Sequence, residues 1–492
     1  MTQITINDAI DFKSSAEPLV SLWSIGDLQA YGSLIWLDGK PVLTLMIEVD
    51  KEIDPDFDKT KIPILKATKP PIQATIYGIV SKFGTITLEC CARYNVHISQ
   101  NIRTNRTIYK LDFLPSAVWI GAPKNAIEEQ IVNVVATDTR LVGFFGSPGL
   151  KIHRDNDPKA KKVFETLGNP ESIWALHAPL QHKIQLGETG WLLSLYTDLV
   201  ETTSGTEGHI LRSAVNIRLH APKPTNISEA SHHLARIEEI LSIFSIEAFT
   251  FQLESYSTDE FETITLIWRL GENHSLFQPP MKHQILVNLS DPATLKAVCK
   301  QWFSATPTVS LSRWLFVHAL KEMDDGFARF VAVAQAFEVL GKELRPHGGM
   351  PRKQLQKAVK LIQEALISGN FEEDFIVRVV QLVRSSNKSS YRDVLYHMLN
   401  KAAQRLQFCT NENIENFCKI VSNTRNDIIH MNDNDNGKLN EAFSRINKLS
   451  LKLCFWYAVC QADQMQLNMP SIGSFLFNNR NARHGLQNEL LE

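Results

Sequence analysis

The sequence predicts an α+β protein in two unlike parts: a large β-rich, mostly antiparallel amino-terminal domain over residues 1–305 and an all-α bundle over 306–470, with a tail at 471–492. Three observations carry this. Through the first three hundred positions, short apolar or alternating runs are broken by turn signals. After Thr306-Pro307 the apolar spacing changes to the three-and-four rhythm of helices. The charge divides at about the same place, roughly −6 before residue 310 and roughly +4 after it. With 44% hydrophobic and 21% charged residues, the 492-residue chain is too apolar to be disordered and long enough for more than one core.

In chain order, residues 31–49 read as two strands meeting at Asp38-Gly39, and residues 73–80 and 85–91 as a second hairpin across Phe83-Gly84. Further strands are expected at 107–113, 130–135, 183–195, 214–219, 249–253, 263–270 and 285–289, which suggests a large sheet or sandwich. One helix interrupts them: residues 228–245 carry Leu234, Ile237, Leu241 and Phe244 at helical spacing, with Ser228 available as amino cap. The segment from Gly143 to Lys151 lacks the Gly-Lys-Ser/Thr ending of a phosphate loop and reads as a turn. His177, His182, His232 and His233 have no Cys or carboxylate at ligand spacing; they read as surface or hydrogen-bonded histidines, and no metal or cofactor is expected.

In the bundle, residues 311–344 read as one long helix, or as two split near Asp324-Asp325-Gly326. Phe330, Ala334, Phe337 and Leu340 form its core stripe, with Glu338 beside them. Helices are expected at 352–367, 371–383, 389–406, 414–431 and 439–465. The polar run at 432–437 reads as a solvated loop: were Gly437 the glycine of a calcium loop, Phe443 would stand where the closing glutamate belongs. Seven cysteines, an odd number without metal-like spacing, fit buried thiols in a reducing compartment. The first ten residues lack the basic start and apolar core of a signal peptide, and no apolar run spans a bilayer, so a cytoplasmic protein with no membrane partner is expected.

The candidate chemistry lies at Asn423-Thr424-Arg425-Asn426-Asp427-Ile428-Ile429-His430. Arg425 offers a permanently charged fork for phosphate, Asn426 an amide, and His430 a proton donor or acceptor near neutrality. Asn426 and His430 are four apart, on one helical face, with Arg425 on its shoulder and Ile428 and Ile429 turned toward the core. Spacing alone decides nothing: composition predicts about 0.6 Arg-x4-His matches, and the chain has four, the others being Arg269 with His274, Arg313 with His318 and Arg392 with His397. Only Arg425 is followed at once by Asn and ends its helix beside a polar loop. An exposed helix end with an incidental histidine stays open as the other reading.

This arrangement resembles the HEPN superfamily, whose nucleases carry an Arg-polar-x-x-x-His motif late in an all-α bundle. It is most similar to the ApeA-type HEPN proteins of bacterial antiphage defence, through residues 330–340 and 423–430; the β-rich region, with Gly78 and Thr85 to Leu88, also looks like the ApeA amino-terminal domain. The resemblance implies an abortive-infection, metal-independent endoribonuclease in which the RNA's own 2′-hydroxyl attacks the adjacent phosphate, at a composite site of a homodimer. Arg425 would bind the phosphate, His430 would act as general base or acid, Asn426 would orient, and Glu338 would support them from the first long helix. Lys353, Lys357, Lys360, Arg384 and Lys388 are candidates for holding the RNA backbone. The β-rich domain would sense a phage-derived trigger. The alternative is a catalytically inactive bundle used for dimerisation or partner binding.

Overall fold

The computed structural model describes residues 18–25, 28–38, 40–50, 74–80, 83–101, 106–121, 128–138, 140–145, 149–154, 172–177, 182–203, 209–259, 262–269, 286–287, 289–322, 326–344, 352–386, 390–406, 411–429 and 436–467. The chain divides into two compact units, one of Met1–Glu238 with Thr250–Pro279 and one of Glu239–Phe249 with Pro280–Glu492.

The first unit is built on antiparallel pairing. β1 (Leu19–Ile25), β2 (Leu28–Leu37) and β3 (Lys40–Asp50) form one meander, and β4 (Ala74–Val80), β5 (Gly84–Asn101) and β6 (Arg106–Leu114) form another. Their turns sit where the sequence places them: Asp38 (φ 50°) ends the β2 strand and Gly84 (φ 77°) opens β5, both left-handed. The meanders join at both edges, β3 to β6 and β1 to β4, so the six strands close on themselves. Closure leaves no open edge and fills the interior with Trp23, Leu34, Leu45, Ile76, Leu88 and Leu111, all essentially buried. Gly78 is required there: a Cβ would stand 2.5 Å from the Trp23 ring, whose backbone pairs with it across β1 and β4.

The sheet then continues outward. The first half of β5 also pairs with β7 (Ala117–Gly121), which leads through later strands to β8 (Ile131–Thr137). A short helix, α1 (Leu141–Phe145), precedes β9 (Gly149–Arg154) and β10 (Ser172–His177), which form a separate two-stranded sheet. β11 (His182–Gln185), β12 (Leu192–Thr203) and β13 (His209–Thr225) follow. After α2 (Ile227–Ser245), β14 (Leu253–Ser257) and β15 (Thr263–Arg269) fill the place between β8 and β7. Thirteen strands of one sheet are thus present among the described residues.

Several expectations need correction. Residues 183–195 are two strands, because Gly187 and Gly190 take left-handed conformations and turn the chain. Residues 249–252 precede β14 rather than forming a strand: the Phe249 N–H donates to Ser242 Oγ (3.0 Å) and the Phe251 N–H to Glu238 Oε1 (2.9 Å), so α2 side chains take the place of a ladder. Leu286, Val287 and Leu289 are buried in bends and turns; residues 285 and 288 lie outside the described residues. The amino cap of α2 is Asn226, whose Oδ1 accepts from the Glu229 N–H at 2.7 Å, two residues earlier than Ser228. The segment at 143–151 is the end of α1 and the start of β9, with residues 146–148 outside the described residues.

Past Pro280 the second unit continues with a helix that the sequence reading did not anticipate. α3 (Pro292–Phe303) is capped by Asp291, which accepts from the Thr294 N–H at 2.9 Å, and it has Pro292 in the first turn and buries Leu295, Val298, Cys299 and Trp302. α4 (Pro307–Glu322) and α5 (Gly326–Leu344) are separate helices, with residues 323–325 outside the described residues. α6 (Arg352–Ser368), α7 (Glu373–Ser386), α8 (Tyr391–Leu406), α9 (Asn411–Ile429) and α10 (Asn436–Gln464) complete the order. α10 starts within the expected polar loop, at Asn436 and Gly437; residues 432–435 lie outside the described residues.

α5 is the central helix, packed on α4, α8 and α10. Phe330, Ala334, Phe337 and Leu340 are all buried, and the Phe337 ring meets Tyr457 of α10 edge-on at 5.3 Å. The Tyr457 hydroxyl lies 2.6 Å from Ser312 Oγ, which in turn donates to the Ala336 carbonyl at 2.7 Å, so the polar tip of this aromatic is satisfied inside the core. Among the described residues no helix is long and apolar enough to cross a membrane.

Candidate functional site

α9 carries its apolar stripe on Ile414, Phe417, Cys418, Val421 and Thr424, all buried at helical spacing. Arg425 follows directly, at the edge of that stripe, while Asn426 and Asp427 are exposed. Arg425 is held by two other helices. One guanidinium nitrogen is ion-paired to Glu338 Oε2 on α5, and the guanidinium carbon lies 4.8 Å from the ring centroid of Tyr391 at the start of α8. The Arg425 side chain keeps 24% of its surface exposed, so the fork is positioned but accessible.

The geometry beneath this cluster has a specific cause. Gly341, one turn after Glu338 on α5, allows close approach of α8: a Cβ there would stand 2.1 Å from Val394 Cγ1. Val394 is one turn after Tyr391, so the approach that needs Gly341 sets Tyr391 beside Glu338 and Arg425. Tyr391 is a member of the cluster that the sequence reading missed. Its hydroxyl is buried without a hydrogen-bond partner among the described residues, and burial raises its pKa well above the ordinary phenol range, more than Arg425 lowers it.

The other expected residues fall in different places. His430 and Lys388 lie outside the described residues, as do the side chains of Ile429 and Arg384. Lys353, Lys357 and Lys360 are exposed on α6. Of the competing Arg-x4-His matches, that of Arg269 has its His274 outside the described residues; Arg313 is buried, donating to Gln461 Oε1 at 2.9 Å and lying 3.9 Å over the Trp302 ring, while His318 stacks on Trp314 at 5.1 Å. Arg392 pairs with Glu415 at 2.9 Å on the surface, and His397 lines a small cleft with Lys401, Cys460 and Asp463 that includes none of Arg425, Glu338 and Tyr391. Cys299, Cys418 and Cys454 are buried free thiols pushed up to about 12 by burial, far from the thiolate needed for nucleophilic chemistry. In the first unit His233 is buried rather than at the surface, tilted on the Trp191 ring at 4.5 Å; the side chains of His177 and His182 lie outside the described residues.

Residues 331–469, from within α5 to just past α10, match the family model described as Apea-like HEPN. The chain carries an Apea-like HEPN domain. No curated protein and no solved structure matches the chain. The HEPN domain contains Glu338, Tyr391 and Arg425 as well as Asn426 and His430, so the whole candidate cluster lies inside the matched region. α3 and α4 precede the match, although Ser312 of α4 is bonded into the same core.

Proposed function

We propose that the chain is a metal-independent endoribonuclease acting in antiphage defence, with Arg425, Asn426 and His430 as its cleavage residues. The observation that carries this reading is the accessible guanidinium of Arg425, set just before the last turn of α9 by Glu338 and Tyr391 inside an Apea-like HEPN domain. HEPN domains are generally ribonucleases. In the reaction the 2′-oxygen of the RNA forms a bond to phosphorus as the bond from phosphorus to the 5′-oxygen breaks. The 2′-hydroxyl proton goes to a base and the departing oxygen takes a proton from an acid, leaving a 2′,3′-cyclic phosphate and a 5′-hydroxyl. Arg425 stabilises the charge gathering on the phosphate, because a planar fork donates to two oxygens at once. His430 moves the proton, since an ordinary imidazole titrates near pH 6.5. Asn426 orients the phosphate. Two copies of the chain supply two motifs to a composite site, and the β-rich unit keeps the nuclease silent until a phage-derived trigger binds the active arrangement better than the resting one.

The test uses purified full-length chain and an oligoribonucleotide carrying one 2′-deoxy sugar at the cleavage position. Cutting is expected to stop at that position alone, to continue in the presence of a chelator, and to be lost in Arg425→Ala and His430→Ala while Arg392→Ala retains it. Cleavage through the deoxy position, or of DNA, would contradict the mechanism.

One observation favours a second reading. The Arg425 charge is already paired with Glu338, as a purely structural arginine would be. A HEPN domain used only for dimerisation or docking predicts partner binding that survives loss of His430 and no new RNA ends in any variant.

A further inference from the structure

Arg425 can hold one phosphate, and an RNA strand brings the next one close beside it. The surface around the fork therefore decides how the strand lies. On α5, Gly341 faces α8, with Val394 against it, while Gln335, Glu338 and Lys342 stand on the solvent side of the helix. The helical step places Lys342 one turn on from Glu338 and about 40° round the axis, away from α8. Gln335 lies one turn back and about 60° round, in the same direction.

Glu338 and Lys342 are four apart with the acid first, the order that favours an ion pair along a helix. That pair does not form, because the Glu338 carboxylate is taken by Arg425. Lys342 is exposed and has no ion-pair or hydrogen-bond partner among the described residues. Glu343, the next residue, points about 100° further round the helix. The other cations around the cluster and its cleft are engaged: Arg392, beside Tyr391, pairs with Glu415 at 2.9 Å, and Lys401 lies 3.7 Å from Asp463. Lys342 is thus an unpaired ammonium one helical turn from the side chain that holds the fork.

We infer that Lys342 binds the phosphate next to the one held by Arg425, so that the RNA strand crosses α5 toward the carboxy-terminal end of that helix. This rests on the nuclease reading above. Residues four apart on a helix have Cβ atoms about 5 to 6 Å apart, the scale of the step between neighbouring phosphates on a strand. A lysine suits the task, since a phosphate that is held and not cut needs a point charge rather than a two-pronged fork. In the opposite direction along α5 the corresponding exposed side chain is the uncharged Gln335, so the charge favours one course for the strand. The contact is the same before and during the reaction, so it lowers KM and leaves kcat alone.

Lys342 also stands in the last turn of α5, where a cation meets the negative end of the helix dipole. That role by itself predicts a less stable Lys342→Ala protein with unchanged RNA binding, so binding is the measurement that separates the two.

The test uses the full chain, its affinity for an oligoribonucleotide with a 2′-deoxy sugar at the cleavage position, and its cleavage of the all-ribose parent. Lys342→Ala is expected to weaken binding and raise KM roughly threefold at low salt, with kcat unchanged, and to reduce the salt slope of log Kd by about 0.7, the value of one single-strand phosphate contact. Lys342→Arg retains both. A methylphosphonate that neutralises the linkage beside the cleavage position, on one side only, should weaken binding of the intact chain by the same factor and have no further effect on Lys342→Ala. Affinity and salt slope unchanged in Lys342→Ala, equal methylphosphonate effects in both proteins at every linkage, or a fall in kcat with KM unchanged would each overturn the inference. An intact chain that binds the oligoribonucleotide but cuts nothing would contradict the nuclease reading while the binding measurements still decide Lys342; one that binds no RNA would overturn both.

Discussion

Arg425 is held by one charge and one ring, and the two supports make different predictions. Glu338 is a positioning residue on the proposed reading: its carboxylate orients the fork without touching RNA. Glu338→Ala is therefore expected to lower the cleavage rate about tenfold, the scale of a small misplacement of a catalytic group, while Glu338→Gln, which keeps one hydrogen bond, retains most of it. Thermal unfolding should barely move in either, because a pair this exposed contributes on the order of 1 kcal/mol at most. Equal rates in the alanine variant and the intact chain would remove Glu338 from the site. Tyr391 supplies a ring face and a buried hydroxyl without a partner among the described residues. Tyr391→Phe keeps the face and removes the orphaned group, so it should leave cleavage intact and raise stability by about 1 kcal/mol, read by denaturant unfolding; a loss of stability would show that the hydroxyl is satisfied in solution. Much of this cluster was legible in the sequence. The Arg-Asn-x3-His run marked Arg425, while Glu338 entered as its support only through the family resemblance, because its place beside the core stripe of α5 fits a solvated glutamate equally well. Tyr391 was not legible, because no local pattern ties the first residue of α8 to a side chain 34 positions later on α9.

At the scale of elements, the site depends on how closely α5 and α8 approach. Gly341→Ala improves helix propensity by about 1 kcal/mol but drives a methyl into Val394, an overpacking cost of about 1 to 3 kcal/mol. The expected net outcome is a less stable protein with Tyr391 displaced, and Gly341→Ala combined with Val394→Ala should recover the lost activity by reopening the space. A single variant as active and as stable as the parent would show that α8 can shift freely. Helices and hairpins were legible where a cap, a turn residue and a clear period coincide, as at Asp38 and Gly84 or along α9. They were not where one signal stood alone. The apolar run at 285–289 resembled a strand although its described residues form bends and a turn, and α3 was overlooked despite Asp291-Pro292 at its start. Closure of the six-strand ring depends on β3 meeting β6 and β1 meeting β4, pairings between strands distant in sequence that no local pattern encodes.

For the whole molecule, the β-rich unit brings its own pH dependence. Burial, and then the neighbouring His232, lower the His233 pKa from 6.5 to about 4. The folded chain thus holds His233 neutral where the unfolded chain would protonate it. Its contribution is fully present above pH 6.5 and is lost as pH falls toward 4, by up to about 1.4 kcal/mol per pH unit. Denaturant unfolding at a series of pH values should show that slope, and His233→Phe should flatten it; an unchanged slope in the variant would assign the effect to other groups.

The central claim is that Arg425 and its neighbours cut RNA, and the most direct measurement is end-chemistry analysis of RNA from cells carrying the intact chain, Arg425→Ala or Arg392→Ala, with and without phage. The account predicts new ends bearing 2′,3′-cyclic phosphate in infected cells with the intact chain and with Arg392→Ala, and none with Arg425→Ala. Phage protection unchanged in Arg425→Ala, with no new RNA ends in any strain, would contradict it and leave the HEPN domain as a binding module.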